Sequence, residues 1–136
     1  MKRKATAVWK GAGKEGKGQV STQSTVLSNT NYSFNSRFGE DKGTNPEELV
    51  AAAHAGCFAM KLSIVLADAG FPSDELTAEC TVTFADGAIK QSHLVVKASV
   101  PNISPEKFQE CAQDAKENCP ISKSLSSEIT MEASLA

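Results

Sequence analysis

The sequence predicts an α+β fold in which antiparallel sheets pack around one long central helix, and three observations carry that prediction. Residues 46–69 form one largely apolar stretch between a helix start signal and a helix stop signal. The stretches on either side of it alternate in character and are rich in β-branched residues, the later one divided by an Asp-Gly turn. A length of 136 residues suits one domain, residues 1–136, with a core of its own.

The elements follow in order. "KATAVWK" and "VSTQSTVL" read as two strands around the glycine-rich "GAGKEGKGQ", which makes a hairpin the simplest arrangement. That glycine-rich segment is not a phosphate loop, because Gly18 and Gln19 stand where a serine or threonine would have to follow Lys17. "NYSFNSRF" reads as a further short extended piece, with Tyr32, Phe34 and Phe38 on one side and Arg37 just before the loop "GEDKGT". Helix signals then coincide: Asn45 as N-cap, Pro46 at the first helical position, and the acids Glu47 and Glu48 in the first turn. Gly70 and Pro72 end the helix, which spans about 24 residues, or roughly 36 Å. Beyond it, "LTAECTVTFADGAIKQSHLVVKASV" reads as two strands about Asp86 and Gly87, with Leu76, Ala78, Cys80, Val82 and Phe84 on one face. Ser104 and Pro105 open a second helix carrying Phe108, Cys111, Ala112, Ala115 and Cys119 at helical spacing. "CPISKSLSS" predicts a short helix restarted at Pro120, and "EITMEASLA" a closing strand.

Composition narrows the function. A formal charge of −2 provides no general attraction for nucleic acid or anionic lipid, so neither is expected as a partner. The basic start "MKRKA" lacks the apolar stretch of a signal peptide, and His54 and Lys61 interrupt the apolar run, so a soluble cytoplasmic protein is expected. In a reducing compartment the four cysteines, Cys57, Cys80, Cys111 and Cys119, are not expected to form structural disulfides. With no C-x-x-C pair present, the reading includes no metal and no cofactor.

The long helix is also a surface. At 100° per residue, Val50, Ala53, Met60 and Ile64 fall on the side of Cys57, while Leu62, Leu66, Ala55 and Ala59 cover the opposite side. Burial on both faces is therefore predicted, and a chain with only six Phe, one Trp and one Tyr needs a second copy to supply part of the cover. Glu47 and Cys57 lie ten residues apart, about 15 Å along one helix. An antiparallel pair of such helices crossing near Ala52 would bring Glu47 of one copy level with Cys57 of the other. A homodimer with a composite site follows as the expectation.

"RFGEDKGTNPEELVAAAHAGCFAMKLS", followed some sixty residues later by "NCPISKSL" and a closing strand, resembles the OsmC family of thiol-dependent peroxidases, related to the organic hydroperoxide resistance proteins. The short gap from Arg37 to Glu47 is similar to the OsmC branch. The resemblance implies an intertwined α+β homodimer with active sites at the subunit interface. It also implies roles: Cys57 as peroxidatic cysteine, Cys119 as its resolving partner, and Arg37 and Glu47 as the polar pair that activates the thiol. A lipoyl-type external dithiol is the reductant it suggests.

Physical chemistry gives these residue types a reason. An ordinary cysteine is only about 3% thiolate at neutral pH, and apolar neighbours lower that further. Cys57 lies about a dozen residues beyond the helix start, too far for the helix dipole to help. A guanidinium in a desolvated pocket could bring its pKa to about 6, a roughly thirtyfold gain in nucleophile, with Glu47 holding Arg37 by a two-point contact. A lining of Phe34, Phe38, Phe58, Met60 and Ile64 would bury the tail of an organic hydroperoxide and favour it over hydrogen peroxide.

The bland alternatives stand beside these. A cysteine inside an apolar helix is most often a small buried hydrophobe, and Cys80 and Cys111 read that way. Glu47 alone is a first-turn acid favoured by the dipole, and Arg37 alone a strand-end charge. His54, three residues before Cys57, reads as packing or interface, and His93 as exposed. The rival function is a non-enzymatic dimer that holds a lipid-like ligand in an apolar cavity, with a thiol hydrolase as a third reading.

Overall fold

In the computed structural model, which describes residues 1–136, β1 (Ala5–Lys10), β2 (Lys17–Thr22) and β3 (Thr30–Ser33) pair antiparallel in that order. Gly18 lies opposite both Trp9 and Tyr32 in the register. A side chain there would run into both rings, so the glycine leaves room for their contact at a centroid separation of 5.3 Å. The segment expected to continue as an extended piece instead turns into a short helix, α1 (Phe34–Phe38). Two serines cause this. Ser36 N–H donates to Ser33 Oγ at 3.1 Å and Ser33 N–H donates to Ser36 Oγ at 2.7 Å, a reciprocal box that starts a helix of one turn.

These elements and the first turn of α2 (Pro46–Asp68) make up one compact unit, Met1–Leu49; a second comprises Val50–Ala136. The start of α2 is as the sequence specified, with Glu48 N–H donating to Asn45 Oδ1 at 2.7 Å. Its end is set by Gly70, whose φ of 91° lies in the left-handed region that glycine alone enters freely.

In the second unit α2 is followed by β4 (Glu75–Ala85) and β5 (Ala88–Ser99), an antiparallel pair joined by Asp86 and Gly87 at φ 53° and 78°. α3 (Pro105–Asn118) and α4 (Pro120–Ser124) then carry the chain back so that β6 (Glu128–Leu135) adds to β5 in parallel. Such a parallel neighbour requires a crossover, and the two helices supply it. The core is formed by Phe58, Leu62 and Leu66 of α2, Leu94, Val96 and Ala98 of β5, and Phe108, Ala112 and Ala115 of α3. Cys111 is a buried member of this cluster, and Cys80 packs against it half-buried.

Two further expectations need correction. The β4 alternation holds from Leu76 to Val82, but a bulge between Thr83 and Phe84 shifts the register by one and leaves Phe84 exposed. His93 is half-buried rather than exposed, its Nδ1 2.6 Å from Thr130 Oγ1 and its Nε2 3.1 Å from Glu132 Oε2 on the parallel neighbour. Within one chain α2 is buried on a single face, that of His54, Phe58, Leu62 and Leu66. Met60 and Ile64 remain 69% and 49% exposed. α2 is also long and apolar enough to cross a bilayer, yet that buried face is committed to the protein core.

Candidate active site

In the second unit the two thiols expected to act together are in contact. Cys57, in the middle of α2, is half-buried; Cys119 is fully buried, and their Sγ atoms lie 2.9 Å apart in hydrogen-bonding contact, both as free thiols. Cys119 owes its position to a change of helix. Its backbone N–H donates to Ala115 O at 2.9 Å as the C-cap of α3, and the same residue is the N-cap of α4 because Pro120 cannot continue α3.

Burial pushes the Cys57 thiol above its ordinary value, and the neighbouring Cys119 adds to this. Two groups pull the other way: the backbone N–H of Ile121, which hydrogen bonds to the Cys57 sulfur, and the positive charge of Lys61. Neither Ile121 nor Lys61 was singled out from sequence. A backbone donor has no residue signature, whereas Lys61, one turn beyond Cys57 on the same helix, could have been found by counting four residues.

In the first unit Arg37 and Glu47 meet as a two-point pair. Arg37 Nε donates to Glu47 Oε1 at 2.9 Å and to Oε2 at 3.1 Å, and Nη2 donates to Oε1 at 2.6 Å. α1 projects Arg37 from its last turn, and Glu47 comes from the first turn of α2. Burial opposes ionisation of Glu47, but the hydrogen bonds from Arg37 and from its own backbone and the attraction of Arg37 outweigh it, holding the carboxyl below its usual range. The Arg37 guanidinium is raised in turn by the Glu47 hydrogen bond. Arg37 also lies over the Phe38 ring, 4.9 Å from its centroid, and Phe38 packs on Phe34 at 4.9 Å. These side chains, with Trp9 and Tyr32, line a largely apolar cleft of about 400 Å³.

Of the five residues expected to line a substrate, Phe34 and Phe38 border this cleft, and Met60 and Ile64 lie on the open side of α2 in the second unit. Phe58 is fully buried in the core, which removes it from any open surface; it faces the same way as Leu62, four residues on. Trp9 and Tyr32 were not singled out as lining, and the register of β1 on β2 and β2 on β3 is what places them there.

His54 is fully buried in the second unit. Its Nδ1 lies 2.6 Å from Ser92 Oγ of β5 and its Nε2 2.8 Å from Ser122 Oγ of α4. Ser92 in turn lies 3.1 Å from Cys80 Sγ. A clue existed in the sequence: Ser92 occupies an inward position in the alternation of Leu94, Val96 and Ala98, and a buried hydroxyl needs a partner.

The family model described as "OsmC-like protein" matches residues 39–134, which include Glu47 and both site cysteines. The chain is 44% identical to Peroxiredoxin OsmC of Escherichia coli over 98% of this chain and 96% of that protein. It is 33% identical to organic hydroperoxide resistance protein-like 1 of Staphylococcus saprophyticus over 71% of each. Among solved structures, the organic hydroperoxide resistance protein OhrB of Bacillus subtilis is similar with a TM-score of 0.67 and 28% identity, over 98% of both chains. A family model that spans most of the chain, and 44% identity to a relative over nearly its whole length, show that this chain belongs to the OsmC family.

Proposed function

We propose that this chain, a cysteine-based peroxidase, reduces organic hydroperoxides to alcohols, and hydrogen peroxide more slowly, with Cys57 as nucleophile and Cys119 as resolving thiol. The observation that carries these roles is the contact of the two free sulfurs at 2.9 Å, next to the Ile121 N–H. The Cys57 thiolate attacks the outer peroxide oxygen; an S–O bond forms, the O–O bond breaks, and the alkoxide leaves and takes up a proton to become the alcohol. Cys57 is then a sulfenic acid. Cys119 displaces its hydroxyl as water, giving a Cys57–Cys119 disulfide. An external dithiol, of lipoyl type in this proposal, restores both thiols by exchange, as a reducing cytoplasm would permit.

The activating pair enters through a second copy. The open apolar side of α2 at Met60 and Ile64 supports an antiparallel homodimer, and the ten-residue separation of Glu47 from Cys57 supports bringing Arg37 and Glu47 of one copy to Cys57 of the other. There the guanidinium offsets the upward push of burial on the thiol, and Glu47 fixes its orientation and relays the hydroperoxide proton. Sedimentation should find a dimer, and Arg37→Ala should lower the second-order peroxide rate at neutral pH by about thirtyfold while moving its pH midpoint upward. A monomer, or an unmoved midpoint, would remove the composite site.

Substrate choice tests the function itself. The apolar cleft beside Phe34 and Phe38 favours an alkyl or aryl tail by about 0.8 kcal/mol per buried methylene, so cumene hydroperoxide should react faster than hydrogen peroxide in stopped flow. Equal rate constants would sink this assignment of substrate class.

A further inference from the structure

We infer that His54 is a positioning residue for the resolving step: by bridging Ser92 of the sheet to Ser122 of α4, it holds Cys119 against Cys57. This rests on the cysteine roles proposed above. It starts from the smallness of α4, a single turn closed by Lys123 N–H to Cys119 O at 3.1 Å and Leu125 N–H to Ile121 O at 3.1 Å. One turn is not a stable helix by itself, so its placement depends on what anchors it to the rest of the unit. Ser122 is its one buried residue, and its hydroxyl is held at 2.8 Å by His54.

The other end of the imidazole is fixed more firmly. Ser92 lies in the middle of β5, paired on both sides, with Val82 of β4 and with Ile129 of β6. The chain Cys80–Ser92–His54–Ser122 thus runs from the sheet, across α2, to the turn that carries the resolving thiol at its N-cap. Every member is a donor and acceptor or can be one, so a neutral imidazole satisfies all its partners in either tautomer. Burial holds His54 below its ordinary value, which favours the neutral imidazole. The cluster is closed to solvent, His54 and Ser92 being 0% exposed, so it does not act on a substrate directly.

What it controls is geometry. In the resolving step an S–S bond forms between Cys119 and Cys57, the S–O bond of the sulfenic acid breaks, and the hydroxyl leaves as water with the Cys119 proton. A bonded pair of sulfurs is about 2.05 Å apart and tolerates a narrow range of dihedral angles. Displacing α4 by about 1 Å is enough to cost the step a hundredfold.

The test separates the two chemical steps. Wild type, Ser122→Ala, Ser122→Thr and Ser92→Ala are mixed with one equivalent of cumene hydroperoxide, and sulfenic acid and disulfide are followed by quenched flow and mass spectrometry. Ser122→Ala is expected to form disulfide at least tenfold more slowly, with sulfenic acid accumulating and overoxidising under excess peroxide. The first step should stay within about threefold of wild type. Ser122→Thr, which keeps the hydroxyl, should restore the fast second step, and Ser92→Ala, cutting the bridge at the sheet, should reproduce the slow one. Disulfide formation at the wild-type rate in both alanine variants overturns the inference, as does equal slowing of both steps, which marks a general loss of structure. Failure of wild type itself to form the Cys57–Cys119 bridge is a different result and overturns the peroxidase cycle.

Discussion

Replacing Cys57 by serine is expected to abolish peroxide turnover, by at least about a thousandfold, the scale on which removal of a nucleophile falls. A serine hydroxyl does not ionise near neutral pH, so nothing attacks the O–O bond. The fold should survive, because the change is nearly isosteric and Cys57 is only half-buried. Stopped-flow turnover, with thermal melting as the control, measures both. The two thiols outside the pair are poor substitutes. Burial raises both Cys80 and Cys111, the latter raised further by Glu110 and Asp114 against the pull of Lys107. Retention of a tenth or more of wild-type activity would mean that another of the four thiols, rather than Cys57, carries the chemistry.

Cys119→Ser should give the complementary result: one fast turnover and then arrest. Attack on peroxide needs only Cys57, so the burst of alcohol persists, while steady turnover with a dithiol falls by a factor of about a hundred because no bridge can form. The sulfenic acid left behind should react with excess peroxide to the sulfinic acid, an end point that dithiols do not reverse. Mass spectrometry after successive additions of peroxide follows this directly. Undiminished steady turnover would show that the external dithiol reaches the sulfenic acid itself and that Cys119 only packs.

Local signals were legible, and contacts across the chain were not. Asn45, Pro46 and Gly70 fixed the ends of α2 because caps and breakers act on their own backbone, and Asp86 and Gly87 set the β4–β5 turn for the same reason. α1 escaped because one turn is too short to show a period, although the Ser33–Ser36 box marks it. The bulge at Thr83 and Phe84 leaves no pattern that strict alternation would reveal. At the site, the spacing of Arg37, Glu47 and Cys57 could be read from the sequence, and Arg37 does take hold of Glu47 with two nitrogens. The contact of Cys57 with Cys119 spans 62 residues and came from family resemblance alone. The bonds of His54 to Ser92 and Ser122 span 38 and 68 residues, and no periodicity connects such positions.

The parallel addition of β6 has a consequence for how the protein is made. β4 and β5 close early as a hairpin, but β6 cannot dock until both crossover helices have folded behind it, a non-local and therefore slow event. Until then the far side of β5 presents an unpaired backbone edge, and Leu94, Val96 and Ala98 on its core face lack the cover of α3. Chains caught in that interval are the ones expected to aggregate, through this edge.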